Sequence, residues 1–311
     1  MSLNTVLEVA WVLFLSGSLI LYGMVMYILI KYRQKLSSSF YQLCIWLGVV
    51  DMLAVGIRML LLPYILKVVF YDQMRHSVLA ATFDQFIRFW FFYVQTAANL
   101  VAGANRLTAV LRPFAHKLFW YKKMRIAIIF MWLLPFLYVL PMALPRNRSY
   151  YDNNLNLHFI NRTMYVHSMV FVVEQFAIIP ALLFMYGTTC ALIYRANRAQ
   201  NDPTKPESQQ EKANRKQEQS LAIIGGTIAL TYEITEWLFF LSIFVYYPLV
   251  FVSRKCYVVF CVCNPYLLLI FSNDVKQLFL KSFLGKAQSK VAPKSTNQAK
   301  SIRTAAATSR M

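Results

Sequence analysis

The sequence predicts an all-α membrane protein, a bundle of seven transmembrane helices followed by a short amphipathic helix beside the membrane. Seven apolar stretches, each long enough to cross a bilayer, occupy the chain from Val9 to Phe271; a hydrocarbon core of about 30 Å takes roughly 20 apolar residues in helix. The positive charge between the stretches is sorted by side. After the seventh stretch, the apolar residues of a short segment recur on one helical face only.

The expected spans are 9–30, 41–66, 78–104, 126–144, 164–194, 220–245 and 256–272. With the N-terminus outside, and with Arg106 counted to the inner end of the third span, the first, third and fifth loops and the tail hold 22 Lys and Arg, against 7 in the loops of the other side. The positive-inside rule then puts the tail in the cytoplasm and the N-terminus outside. Asn147-Arg148-Ser149 and Asn161-Arg162-Thr163 are the glycosylation sequons, and both fall in the fourth loop, which the charges place outside. The segment Met1 to Glu8 lacks a basic region, so the first apolar run is expected to stay as a span.

Beyond the spans, Asn273 or Asp274 can start a helix in which Val275, Leu278, Phe279 and Phe283 share a face while Lys276 and Lys281 point to water or headgroups. The receptor domain is thus expected at 1–285, with a disordered cytoplasmic tail at 286–311. The polar stretch Gln200 to Gln219, with Pro203 and Pro206, reads as a partly disordered connection that turns helical near its end.

A formal charge of +19 on a chain that is 58% hydrophobic could suggest a nucleic-acid binder, but most of the excess flanks helices on one side, where anionic membrane lipid is a sufficient partner. The five cysteines are scattered and offer no extracellular pair, so they read as small buried side chains. Catalysis inside a membrane needs a nucleophile with a base, paired aspartates or a metal held by several ligands. Here the histidines lie in loops or at a membrane edge, and neither Gly-x-Ser-x-Gly nor His-Glu-x-x-His is present. No enzyme, metal or cofactor is expected.

Ionisable residues inside the spans carry the strongest chemical signal. They are Asp51 and Arg58 in the second, Asp84 and Arg88 in the third, Glu174 in the fifth, and Glu233 and Glu236 in the sixth. Each costs at least about 2.5 kcal/mol at mid-helix, so they should face the interior or one another. The spacing puts Asp84 with Arg88 and Glu233 with Glu236 on shared helix faces. Two readings stay open. One is a polar, ligand-binding cavity open to the outside and walled by Phe86, Phe91, Phe92, Tyr93, Tyr232 and Trp237. The other is a set of interhelical ion pairs in which Arg58 and Arg88 each neutralise a glutamate. A transporter or ion channel is the rival from another class, with Asp51, Glu174, Glu233 and Glu236 as an ion path and Gly225-Gly226 as a helix break. No internal repeat supports it.

At the inner end of the third span, Asn105-Arg106-Leu107 followed by Pro113 resembles the acid-Arg-aromatic motif of rhodopsin-like G-protein-coupled receptors. Asp51, Trp132, Pro180 and Asn264-Pro265 resemble that family's marks on the second, fourth, fifth and seventh helices. The resemblance implies that Asn105, Arg106, Pro113, Asn264 and Pro265 serve G-protein coupling and activation, and that Asp51 is an interior polar switch. Asn105 stands where the acid belongs, Leu268 where the seventh-helix tyrosine belongs, and the sixth span lacks a proline. These departures, with Asn99 to Trp120 and Asn264 to Ser272, resemble nematode serpentine chemoreceptors of class gamma, with class V close behind. That resemblance implies a chemosensory receptor, on a cell or ciliary membrane of a sensory neuron, with an extracellular small-molecule ligand and a heterotrimeric G protein as partners.

Overall fold

A computed structural model describes residues 3–36, 38–57, 77–143, 149–151, 157–159, 161–200, 209–244 and 249–285. Its long helices are α1 (Leu3–Lys31), α2 (Ser39–Leu53), α3 (Val78–Leu111), α4 (Pro113–Val139), α5 (Asn161–Gln200), α6 (Gln209–Phe244) and α7 (Leu249–Phe271), and the short α8 (Asn273–Phe283) follows. Among the described residues, three segments, Val6–Lys31, Ser39–Ile57 and Ala177–Arg195, are apolar enough to cross a membrane on length and composition alone. On other helices polar residues turn inward: Asp84, Gln85, Gln95, Thr96 and Asn99 of α3 and Asn264 of α7 are all buried.

Several helices overrun the apolar stretches that announce them. The fourth starts at Pro113 rather than 126 because Pro113 occupies its first turn, where the missing N–H is harmless and φ is already helical. Its next residues include Lys117, Lys122 and Lys123, which hydropathy cannot distinguish from a loop. Helix α6 likewise begins at Gln209, within the expected polar connection. It then runs unbroken through Gly225-Gly226, so the helix break that a transport path would use is not there.

Helix α3 is the centre of the bundle, packed on α2, α4, α5 and α6, while α1 joins α2 to α7 and α6 lies along α7. The core runs through Leu15, Val25, Leu47, Val50, Val94, Leu182, Ile224 and Phe260. A smaller cluster, Leu43, Trp120 and Met124, ties α2 to the start of α4. On the outside, Ile129, Phe130 and Leu133 of α4 and Leu13 and Ile20 of α1 are exposed, an arrangement suited to lipid rather than water.

Two details differ from the sequence reading. The fourth loop contains a hairpin, β1 (Ser149–Tyr151) paired antiparallel with β2 (Leu157–Phe159) in the register Ser149↔Phe159; strands of three residues carry too little alternation to announce themselves. Helix α8 is capped by Ser272, whose hydroxyl accepts from the Val275 N–H, rather than by Asn273 or Asp274. The chain bends by 93° between α7 and α8, burying Val275 and half-burying Leu278 and Phe279. Gly285 ends α8 with φ of 60°, a left-handed conformation that glycine adopts at no steric cost.

Residues 58, 147, 201–208 and 286–311 lie outside the described residues, and with them Arg58, the Asn147 sequon and the expected tail. Asn161 opens α5 rather than lying in a loop. A β-carbon on Gly225 would lie 2.8 Å from Cε1 of Tyr186, so glycine is what lets α5 and α6 approach there. Gly225→Ala is therefore expected to be less stable than Gly17→Ala, whose added methyl meets nothing within 4 Å. Both substitutions gain the same helix propensity, so thermal unfolding in detergent micelles should read the contact directly, at about 1–3 kcal/mol.

Candidate functional site

The middle of the bundle converges on one carboxylate. Asp51 of α2 is fully buried and accepts three hydrogen bonds, from Tyr22 Oη of α1 at 2.7 Å, Gln95 Nε2 of α3 at 2.7 Å and Asn264 Nδ2 of α7 at 2.6 Å. Gln95 in turn accepts from the Tyr257 hydroxyl of α7. Four helices thus meet at one point. Sequence reasoning marked Asp51 and Asn264 but missed Tyr22, Gln95 and Tyr257, since polar residues at helical spacing give no sign of which one meets a partner on another helix.

Toward the end of α3 that meets α4, Arg106 is buried on the ring of Phe40, with Cζ 4.5 Å from its centroid. Its Nη2 donates to Asn105 Oδ1 at 2.8 Å, and its Nη1 pairs with Glu218 Oε2 of α6 at 3.0 Å. Asn105 holds the arginine through a neutral amide oxygen, while the charge partner comes from α6. Glu218 was legible only as one acid in a polar stretch, because its meaning depends on where α6 crosses α3.

From Asn105 a chain of hydrogen bonds continues into α4. Asn105 Nδ2 donates to Ser39 Oγ at 2.8 Å, Ser39 Oγ lies 3.2 Å from His116 Nε2, and His116 Nδ1 lies 3.0 Å from Thr108 Oγ1. Thr108 donates its one proton to the Ala104 carbonyl at 2.8 Å, and it accepts from Trp120 Nε1 at 2.9 Å. It therefore accepts from His116 Nδ1–H as well, which leaves Nε2 of a neutral imidazole to accept from Ser39. The direction of every bond from Arg106 to Ala104 follows. His116, at the start of α4 and outside the spans, is held below its ordinary value of 6.5, at about 4, by burial and by the charges of Arg106 and Lys117.

In the other half of the bundle, Arg88 Nε and Nη2 clasp Asp84 Oδ1 and Oδ2 at 2.7 and 2.8 Å. The i,i+4 spacing is realised, and the alternative in which Arg88 neutralises a glutamate is corrected. Glu233 is buried with neither carboxylate oxygen bonded among the described residues. Glu174 and Glu236 lie on α5 and α6, with their side chains outside the described set. The aromatics expected to wall a cavity are largely taken up by packing: Phe86 meets Phe136 edge-on at 5.6 Å, Tyr93 meets Tyr138 at 5.0 Å, and Tyr232 rests on Phe260 at 5.4 Å. No cluster of three metal-ligating side chains occurs among the described residues.

A buried aspartate tying α1, α2, α3 and α7, an arginine latched from α3 to α6, and an amphipathic helix set across the end of α7 define a seven-helix receptor of the rhodopsin architecture. The crystal structure of squid rhodopsin superposes with a TM-score of 0.67 over 91% of this chain and 86% of that chain, at 17% identity; such an identity speaks for the fold alone. The family model of the serpentine type 7TM GPCR chemoreceptor Srv matches residues 11–284, and the chain belongs to that family. Of the two classes left open by the motifs, the matching model is that of class V. Comparison with the curated proteins finds no match. The protein is a seven-transmembrane chemosensory receptor, and G-protein signalling is typical of its family.

Asp51→Ala is expected to cost about 3 kcal/mol in thermal unfolding, because three buried donors lose one acceptor. The His116 shift has a definite sign. The folded chain binds this proton less readily than the unfolded chain, so the contribution is fully present above pH 6.5 and is lost as pH falls toward 4. With partial solvent screening, wild type should lose about 1 kcal/mol more than His116→Gln between pH 7 and pH 5, measured as the difference in melting midpoints.

Proposed function

We propose that this receptor binds an extracellular small molecule in the half of the bundle away from α8, and that its resting state is latched by Arg106 and Glu218. The reading is carried by that 3.0 Å ion pair between α3 and α6. The Glu218 side chain is 47% exposed, so the pair contributes only about 1 kcal/mol, and a ligand with a modest preference for an arrangement with α6 displaced can break it. Release of Arg106 would open a cleft beside Asn105, Pro113 and the basic start of α4, where a heterotrimeric G protein engages. Asn264 and Pro265, within α7, relay the change to α8, and Asp51 serves as the interior switch between the halves.

The ligand would be read by Arg58, Asp84, Arg88, Glu174, Glu233 and Glu236, and no covalent chemistry or cofactor is needed. The distribution of Lys and Arg and the two sequons support an extracellular N-terminus, a cytoplasmic tail and glycans on Asn147 and Asn161, and membership of the chemoreceptor family supports residence in the membrane of a sensory neuron or its cilium. The experiment is ligand-independent nucleotide exchange on a co-expressed G protein at matched surface expression. Glu218→Gln should raise the basal rate about fivefold, the equivalent of about 1 kcal/mol, and Arg106→Ala should abolish coupling. An unchanged basal rate in Glu218→Gln would overturn the latch.

A further inference from the structure

A groove of about 450 Å³ runs along the outer face of the bundle where α8 meets α1. Its floor is Ile20, Gly23 and Met24, one stripe of α1, and Gly23 is open enough that a β-carbon would meet nothing within 4 Å. Tyr27 and Phe283 form the wall toward α8, with ring centroids 6.0 Å apart. The groove ends at Lys31 and Ser282. There Lys31 Nζ donates to Tyr27 Oη at 2.9 Å, and Tyr32 Oη lies 3.2 Å from Ser282 Oγ.

Charge gathers at this end. Lys31 and Lys35 place their ammonium groups 5.6 and 5.7 Å from the Tyr32 ring centroid. Hydrogen bonding to Ser282, with the fields of Lys31, Lys281 and Lys35, holds the Tyr32 hydroxyl below its ordinary value. No acidic residue occurs in 9–50 or after Asp274, and none of these lysines is in an ion pair among the described residues. The result is an apolar trough open to lipid with Lys31 at its end and Lys35 and Lys281 beside it around Tyr32.

We propose that this groove binds an anionic phospholipid from the leaflet that α8 lies against, with the phosphate at Lys31, Lys35 and Lys281 and an acyl chain laid over Gly23. A neutral lipid or a sterol would leave the ammonium cluster unmatched. A soluble phosphate compound would leave Ile20 and Met24 uncovered. If the orientation proposed above holds, this is the cytoplasmic leaflet, but the binding does not rest on it. An occupant there would fasten α8 to α1, the helix against which its last turns pack.

The test is native mass spectrometry of the purified full chain in detergent micelles, titrated with dioleoyl phosphatidylserine and, separately, dioleoyl phosphatidylcholine. Wild type should retain the serine lipid preferentially. Each lysine accounts for roughly fivefold, so the combined variant Lys31→Gln, Lys35→Gln and Lys281→Gln should lose affinity on the order of a hundredfold. Lys117→Gln, Lys122→Gln and Lys123→Gln together remove the same charge from α4 and should change little. Gly23→Phe, filling the trough from an open position, should cost at least about tenfold, and Ile20→Trp at the lipid-exposed edge should act in the same direction. Equal retention of the two lipids, an equal loss in the α4 variant, or indifference to both Gly23→Phe and Ile20→Trp would each overturn the proposal.

Discussion

A carboxylate at the centre of a membrane bundle is tolerable only when its acceptor capacity is met by donors, and in this protein those donors come from three other helices. Tyr22, Gln95 and Asn264 can all reach Asp51 only when α1, α3 and α7 stand at one depth and one rotation about α2. Apolar packing along the helices is less selective for register, because the apolar term is non-directional. Three short hydrogen bonds to a single group are not permissive, and they set the register for the rest of the bundle. The partly buried Ser18–Tyr266 contact between α1 and α7 and the link from Gln95 to Tyr257 extend the same polar seam.

At the α4 end of α3 the same physics appears in a weaker form. Asn105 in place of an acid gives Arg106 a dipole to lean on rather than a charge. The chain from Asn105 through Ser39 and His116 to Thr108 then couples the arginine to α2 and α4 by neutral groups alone. The charge of Arg106 is met instead by a half-exposed glutamate on α6. A pair whose carboxylate is half exposed to solvent holds the arginine with only about 1 kcal/mol. Asn105 beside Arg106 and Glu218 across from it on α6 together leave the guanidinium with one half-exposed counter-ion.

Much of this was legible in the sequence. Apolar length, sorted charge and the amphipathic segment announced seven helices and an eighth, and Arg106, Asp51 and Asn264 stood out by their neighbours in the chain. Asp84 and Arg88 were readable as partners because four residues on one helix fix their separation. The start of α4 was not readable, since lysines beyond the hydrocarbon look the same in a helix as in a loop. Nor was the hairpin, whose strands are shorter than any useful period.

What composition and spacing determined was each helix by itself: that it forms, how it faces lipid, and which charges on it are close. What only the tertiary structure decided was the set of partners between helices: Tyr22 and Gln95 on Asp51, Glu218 on Arg106, His116 between Ser39 and Thr108, and the groove where α8 meets α1. The reason is geometric. Within one helix the rise and turn per residue convert sequence distance into space, whereas between helices the separation depends on how whole surfaces pack, and no local pattern carries that information.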